Sequence, residues 1–199
     1  PYGRKMNEEE IIQHLEGAAG LLAGLEPLNK NVFSHSPQLK AIARIGIGMD
    51  NVDITAAEAC GIKVSNTPDG PTAAVSEMVL GVLLSIGRQI IPANKDMHRK
   101  IWNKRIGFSI SGLKVLVVGY GHIGQKVSEL LKSLGANILI YDKYQPEINT
   151  VPTLEDGLCM ADAVTLHASG KEEIITQAMF SIMKKGIVIL NSARGGLIK

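Results

Sequence analysis

Short apolar segments alternate with mixed polar segments along the first third of the chain, which is the pattern of strands alternating with helices. Asn7 and Glu10 have the three-residue spacing of a capping box, while Asp53 and Gly61 are residue types that begin and end helices. The pattern predicts, in chain order, helix Glu8–Leu15, strands Ala18–Gly24 and Leu39–Gly46, a helix from Asp53 to Gly61, and strand Ile62–Asn66.

The segment NTPDGP, Asn66–Pro71, interrupts this alternation with two prolines and a glycine. We place a domain boundary here, so that residues 1–70 form one domain and residues 71–199 form the other. A long helix is predicted from Thr72 to Lys95, with continuation toward Trp102. Its most apolar part, Met78–Gly87, is too short to cross a bilayer and is predicted to be a buried helix.

The second half of the chain repeats the alternation of strands and helices. Its predicted elements are strand Leu113–Gly119, helix His122–Leu134, strand Ala136–Asp142, helix Thr153–Met160, strand Ala163–His167, helix Thr176–Met183 and strand Gly186–Asn191. Strands that are apolar almost throughout are typical of parallel sheets covered by helices on both faces. We therefore predict an α/β fold with two doubly wound parallel-sheet domains.

The composition argues against several classes of partner, although net charge does not show how the charges are distributed. A formal net charge of +2 gives no electrostatic footprint for nucleic acid, and no segment has the length and apolar character of a membrane span. Cys60 and Cys159 lack metal-ligand spacing, so we predict two buried thiols in a reducing compartment, no metal site and a cytoplasmic location.

The stretch VVGYGHIG contains the spacing G-x-G-x-x-G at Gly119, Gly121 and Gly124. It follows a predicted strand and opens a predicted helix, and Asp142 ends the next strand, which together indicate a dinucleotide-binding turn. The backbone at His122 and Ile123 would face the phosphates at the positive end of the helix. Asp142 would accept hydrogen bonds from the adenosine ribose, which favours NAD over NADP. The alternative is a purely structural glycine turn.

Five motifs together carry a family resemblance: GIGMDNVD (Gly46–Asp53), GIKVSNTP (Gly61–Pro68), VSEMVLGVLLSIGR (Val75–Arg88), VVGYGHIG and NSARGGLI. In these segments the chain resembles the D-isomer-specific 2-hydroxyacid dehydrogenases, and within that family it is most similar to the phosphoglycerate dehydrogenases. The resemblance implies a flavodoxin-like substrate domain followed by a Rossmann NAD-binding domain. It also implies hydride transfer between the nicotinamide and C2 of a D-2-hydroxy acid, with 3-phosphoglycerate of serine biosynthesis as the expected substrate.

The resemblance also implies roles for particular residues. Arg194 would hold the substrate carboxylate, the backbone of Ile47 and Gly48 would bind the same group, and Arg44 would contact a substrate phosphate. Ser192 and Ala193 would line the nicotinamide side, with His167 beside the cofactor. Four of these assignments have a plainer alternative: Arg194 as a surface arginine, Gly48 as a loop glycine with no ligand, His167 as a half-buried histidine with its hydrogen bonds satisfied, and Arg44 as a solvated charge at a strand edge.

The chain departs from the family pattern at its ends. The family's proton shuttle, a histidine paired with a glutamate, lies beyond the A-R-G motif, whereas His167 and Glu173 are the last histidine and glutamate here. We therefore expect a fragment that lacks the first strand–helix unit and the C-terminal part, so that both domains are incomplete and the 199 residues alone are inactive.

Three further alternatives concern function and assembly. The same scaffold would also suit a glyoxylate or hydroxypyruvate reductase, and a non-catalytic NAD-sensing module is a different class that remains open. Family members commonly form dimers through the helix after the hinge, so the region 72–95 is the predicted homodimer interface, with a buried core helix as the alternative.

Overall fold

The computed structural model describes residues 4–170 and 172–198. The chain divides into two compact units, Pro1–Pro71 and Thr72–Lys199. Every pairing between neighbouring strands in both units is parallel, and helices separate the strands along the chain. The predicted α/β fold with two parallel sheets is therefore confirmed.

The first unit holds a three-stranded sheet in the order β1-β2-β3. Its elements are α1 (Glu8–His14), β1 (Gly20–Ala23), α2 (Lys30–Ser34), β2 (Ala41–Arg44), α3 (Ile54–Ala59) and β3 (Lys63–Asn66). The capping box is confirmed, because the Asn7 side chain accepts from the Glu10 N–H and the Glu10 side chain accepts from the Asn7 N–H. Fully buried residues such as Ile11 and Ile42 form its core.

Helix α2 is absent from the predicted elements. It spans only five residues, which is too short for a recognisable apolar period. The signal that could have found it is Asn29, whose side chain accepts a hydrogen bond from the Val32 N–H at the start of the helix. Val32 and Phe33 are buried in the core and hold the helix in place.

The second unit holds a four-stranded sheet in the order β5-β4-β6-β7. Its helices are α4 (Thr72–Gly87), α5 (Ile90–His98), α6 (His122–Ser133) and α7 (Leu154–Met160), and its strands are β4 (Lys114–Val118), β5 (Asn137–Tyr141), β6 (Ala163–Leu166) and β7 (Val188–Asn191). Short 3₁₀ helices occupy Pro146–Ile148, Gln177–Ile182 and Gly195–Leu197. All four residues of β6 are buried, as expected for a central strand covered on both faces.

The single helix predicted from Thr72 to Lys95 is wrong, because the structure contains two helices that meet at an angle of 62°. Gln89 lies between them in the left-handed region, with φ of 55°. The physical reason is Pro92: in a continuous helix its ring would clash with the carbonyl of Arg88, and it has no N–H to donate there. The bend places Pro92 in the first turn of α5, where neither problem arises.

The prediction that Met78–Gly87 is buried is also wrong in part. Val79 and Leu83 pack against α6, whereas Met78 is 57% exposed and Val82 is 40% exposed. Only one face of α4 meets the rest of the unit, so the apolar side chains on the other faces are uncovered. Among the described residues no single helix has the length and hydropathy of a membrane span, although α4 and α5 taken together across their bend do.

Two smaller predictions also need correction. Cys60 and Cys159 are exposed rather than buried. Leu154 and Leu158 lie on the inward face of α7, so the adjacent Cys159 faces solvent. Cys60 is the C-cap residue at the end of α3. The segment predicted as helix Thr176–Met183 is a 3₁₀ helix in which no residue is fully buried. Met179 packs against the core while partly exposed, which is little burial to stabilise a longer α-helix.

Candidate functional site

The order of strands in the second unit creates a switch point beside β4. The chain passes from β4 to β5 on one side and then returns to β6 and β7 on the other side. In open α/β sheets the crevice for a ligand lies at the carboxyl ends of the strands at such a point. Gly119 directly follows β4 and His167 directly follows β6, so both begin the loops that line this crevice.

The glycine turn after β4 is formed by backbone segments that approach too closely for side chains. Gly119 has φ of +89°, and a Cβ there would lie 2.6 Å from the backbone nitrogen of Ala168. A Cβ on Gly124 would overlap the carbonyl oxygen of Gly119, so this glycine lets α6 pack onto the turn. At Gly121 nothing lies within 4 Å, which leaves open space where the backbone can meet a ligand.

The first turn of α6 has the features of an anion-binding helix terminus. Gly121 is its N-cap and offers no side-chain hydrogen bond, and no acidic residue lies in the first turn. His122 begins the helix with an exposed side chain, while the side chain of Ile123 packs against the core and leaves only its backbone facing the turn. Uncapped N–H groups and the helix dipole together favour a phosphate here.

Asp142 has a second role that the sequence does not predict. Its buried carboxylate accepts hydrogen bonds from the backbone N–H groups of Tyr120 at 2.7 Å, Tyr144 at 2.8 Å and Gln145 at 3.1 Å. It thereby ties the glycine turn to the turn after β5. A carboxylate has about four acceptor positions, so one stays available for the predicted contact with a ribose hydroxyl.

His167 is held by two hydroxyl groups. Thr165 Oγ1 lies 2.9 Å from its Nε2, and Ser192 Oγ lies 3.2 Å from its Nδ1. Burial lowers the pKa of His167 from 6.5 to about 4, so the ring is neutral at physiological pH. Both ring nitrogens therefore have hydrogen-bond partners, as the plainer alternative for His167 expected. Only the face of the ring stays available for the predicted contact with the cofactor.

The loop after β7 carries Arg194, and Asn191 shapes it. The Asn191 side chain donates to the carbonyl of Arg194 at 2.7 Å and accepts from the N–H of Ala193 at 3.1 Å. Ser192 reaches back to His167, which joins this loop to the end of β6. Arg194 itself is exposed at the carboxyl end of the strand. Sequence reasoning missed Asn191, although an asparagine at the start of a turn is a known signal for such bonds.

The first unit places a second group of predicted residues after β2. Arg44 is only 7% exposed, so its alternative as a solvated strand-edge charge is wrong. Its guanidinium packs directly against Gly46, which contributes to this burial. A side chain at position 46 would not fit, because its Cβ would overlap Nη1 of Arg44. In the described part of the chain, the N–H groups of Ile47 and Gly48 donate no hydrogen bond, so both stay available to an anion.

Across residues 4–170 and 172–198, no cluster of three or more His, Cys, Asp and Glu side chains is arranged to hold a metal ion.

A glycine turn, an uncapped helix terminus and an acid after the second strand, all at the switch point of a parallel sheet, define a Rossmann-type dinucleotide-binding domain. The family model described as "D-isomer specific 2-hydroxyacid dehydrogenase, NAD binding domain" matches residues 80–199. The chain belongs to this family, and NAD is the cofactor of its second unit.

Similar proteins support the same assignment over nearly the whole chain. The chain is 33% identical to D-3-phosphoglycerate dehydrogenase of Methanocaldococcus jannaschii, over 97% of this chain and 39% of that protein. It is 35% identical to D-3-phosphoglycerate dehydrogenase of Mycobacterium tuberculosis, over 92% of this chain and 37% of that protein. A crystal structure of a Thermus thermophilus protein matches with a TM-score of 0.89 and 30% identity, over 96% of this chain and 65% of that one. The chain thus spans about two fifths of the length of these curated relatives.

The glycine turn yields a matched pair of substitutions. Gly124→Ala should destabilise the protein by about 1–3 kcal/mol, because the new Cβ meets the Gly119 carbonyl and the helix has to shift. Gly121→Ala should cost less than about 1 kcal/mol, since its Cβ enters open space. Yet Gly121→Ala should weaken NAD binding roughly tenfold or more, because we expect the pyrophosphate to approach the backbone through that space.

Urea unfolding measures the stability of both variants, and calorimetric titration measures their affinity for NAD. Equal stability losses in the two variants would show that α6 does not pack on the Gly119 carbonyl. Unchanged NAD affinity in Gly121→Ala would show that the cofactor does not approach the turn there.

The lowered pKa of His167 predicts an acid-dependent loss of stability. Above pH 6.5 the ring is neutral in both the folded and the unfolded chain. Between pH 6.5 and 4 the unfolded chain binds the proton first, so the free energy of unfolding falls, by about 3 kcal/mol in total at about 1.4 kcal/mol per unit. Below about pH 4 this contribution falls no further.

His167→Gln removes this titration, so the stability difference between the wild-type protein and this variant should shrink by about 3 kcal/mol from pH 6.5 to pH 4. Urea unfolding at a series of pH values measures it. His98→Gln, at the exposed end of α5, is the matched control and should keep the wild-type pH dependence. A stability difference that is constant with pH would contradict the prediction.

Proposed function

We propose that the protein that carries this chain transfers a hydride between NAD and C2 of a D-2-hydroxy acid. The observation that carries the proposal lies at the carboxyl edge of β4, β6 and β7. There the glycine turn meets Ala168, and Ser192 of the Arg194 loop meets His167 at 3.2 Å. A cradle for a dinucleotide and a cation for a carboxylate therefore lie on adjoining loops.

The side chains at this edge suit the two tasks that such a reaction sets for a protein. When bound, NAD supplies the acceptor or donor of the hydride. Arg194 would bind the substrate carboxylate and polarise the C2 oxygen, because a planar guanidinium offers paired donors and a permanent charge. Neutral His167 bonds to Ser192 and would add no charge where the nicotinamide is expected to bind. Asp142 would bind the ribose, which favours NAD over NADP.

We propose 3-phosphoglycerate as the substrate, which would place the reaction in serine biosynthesis in the cytoplasm. Both relatives reported above bear the name D-3-phosphoglycerate dehydrogenase, and the environment of Arg44 in the structure also supports the assignment. In the described residues its Nη atoms donate no hydrogen bond. A buried guanidinium with open donors, together with the open N–H groups of Ile47 and Gly48, suits an anionic substrate.

Glu26 supports a second candidate, the reduction of glyoxylate or hydroxypyruvate. It is 7% exposed and lies after β1, in the loop that Asn51 joins to Arg44. Its carboxylate accepts a hydrogen bond from the N–H of Gly24 and makes no ion pair in the described part of the chain. If the carboxylate of this loop faces the same ligand as Arg44, it would disfavour a phosphate dianion and would accept a hydrogen bond from a hydroxyl group. An NAD-sensing module would instead bind NAD without turnover.

We further propose a homodimer through α4 and α5. The supporting observation is a row of exposed apolar side chains. Single exposed apolar residues are common on monomers, but a contiguous group of them marks an interaction surface. The row comprises Met78, Val82, Ile86, Ile90, Ile91 and Met97. Light scattering of the full-length protein measures the mass directly.

The activity itself is tested with the full-length protein, NAD and a panel of D-2-hydroxy acids that includes 3-phosphoglycerate and glycerate. We expect NADH formation, and Arg194→Lys should lower kcat/KM roughly 100-fold, because the lysine loses the paired donors. The affinity for NAD should change less than about threefold, since Arg194 faces the acid. NAD binding with no NADH formed across the panel would favour the sensing module.

Glu26→Gln separates the two substrates. Removing the charge should raise the ratio of kcat/KM for 3-phosphoglycerate over that for glycerate by roughly tenfold, because repulsion of the phosphate disappears and the amide hydrogen-bonds a hydroxyl less strongly. The wild-type ratio shows which acid the enzyme prefers. An unchanged ratio in the variant would mean that Glu26 does not face the substrate.

A further inference from the structure

Asn51 joins two loops of the first unit. Its side-chain nitrogen Nδ2 donates to the carbonyl oxygens of Gly24 at 3.3 Å and Glu26 at 2.8 Å, both in the loop after β1. Its side-chain oxygen Oδ1 accepts from Nε of Arg44 at 3.4 Å, a long hydrogen bond. One half-buried amide therefore connects the loop after β1 with the last residue of β2.

The orientation of this amide is fixed by its partners. Two carbonyl oxygens converge on one end of the Asn51 side chain, and only the NH₂ end can donate to them. A rotated amide would place its oxygen against those carbonyls and its NH₂ against the Nε–H of Arg44. The acceptor oxygen therefore has to face Arg44.

The loop after β1, whose two carbonyl groups accept from Asn51, is also held in place by hydrogen bonds. Glu26 accepts a hydrogen bond from the N–H of Gly24 at 2.7 Å, which closes the loop around its two carbonyl groups. The backbone of Asn51 accepts from the N–H of Leu28 at 2.8 Å, and the carbonyl of Leu28 accepts from the N–H of Asp53 at 2.8 Å. Leu28 is fully buried, so the position of Asn51 is tied to the core.

Two contacts hold the guanidinium of Arg44, one at Nε and one against its face. Asn51 holds Nε, and Gly46 provides the surface over which the group lies. In the described residues, Nη1 and Nη2 donate no hydrogen bond. The contacts thus fix the plane of the guanidinium and leave its outer donors for a ligand.

We propose that Asn51 is a positioning residue, which orients the guanidinium of Arg44 so that its Nη atoms bind the anionic group of the substrate. Asn51 does not touch the substrate and acts through Nε of Arg44. The proposal rests on the proposed function, in which Arg44 binds that anion. An oriented donor loses less conformational freedom when the ligand binds, which raises affinity without changing the chemical step.

Kinetics of the full-length protein test the proposal. Asn51→Ala should raise KM for the preferred 2-hydroxy acid roughly fivefold, the range for one hydrogen bond, with kcat changed less than twofold. Asn51→Leu should give the same result without a cavity. Asn31→Ala is the matched control, because Asn31 is an exposed asparagine of the same unit whose amide bonds to Glu8, and its KM should stay at the wild-type value.

A double-mutant cycle then tests the route through Arg44. In an Arg44→Lys background Nε is missing, so adding Asn51→Ala should change KM by less than twofold. A fivefold rise in that background as well, or equal effects of the Asn51 and Asn31 substitutions, would overturn the proposal.

A spectroscopic readout separates this proposal from the proposed function, because it needs no substrate. In ¹H–¹⁵N spectra of the wild-type protein, the Nε–H of Arg44 should give a distinct signal that exchanges slowly with water. Asn51→Ala and Asn51→Leu should accelerate that exchange and Asn31→Ala should not. If wild-type Arg44 gives no protected signal, the proposal fails even in an active enzyme, and an inactive enzyme with a protected signal refutes only the proposed function.

Discussion

The close approach of three backbone segments after β4 is the constraint on which the second unit depends. Gly119 meets the backbone at Ala168, and α6 meets the carbonyl of Gly119 at Gly124. A Cβ at either glycine would overlap a backbone atom, so no other residue type fits without movement. This contact sets the distance between β4, β6 and the start of α6. It also directs the uncapped N–H groups of the helix toward the crevice.

The polar groups around this crevice are held chiefly by the backbone and by hydroxyl groups. Asp142 is fixed by three backbone N–H groups, and His167 by Thr165 and Ser192. Burial lowers the pKa of His167, so its ring is neutral at physiological pH. The edge of the sheet therefore presents a carboxylate held by three backbone N–H groups, one neutral ring and the guanidinium of Arg194. Under the proposed function, Asp142 would bind the ribose of NAD, His167 would lie beside the nicotinamide, and Arg194 would bind the carboxylate of the substrate.

Elements with strong local signals were predictable, and elements that depend on contacts were not. The capping box at Asn7 and the alternation of strands and helices follow from neighbouring residues, and both are confirmed. The break at Gln89 follows from the ring of Pro92, a local signal that the apolar pattern concealed. The exposure of Met78 has no such local signal, because it depends on which face of α4 packs against α6. Likewise, Asn191 and Asn51 take on their roles only where distant loops come together.

The sequence by itself determined the two parallel sheets, the glycine turn and the family, because these depend on periodicity and on a few fixed spacings. The tertiary structure decided which polar groups are buried and what each one contacts. Arg44 shows the difference: its identity is visible in the sequence, but its burial, its surface on Gly46 and its bond to Asn51 arise from residues brought together by the fold. Burial and orientation are properties of the packed chain, since each depends on atoms that are remote in sequence.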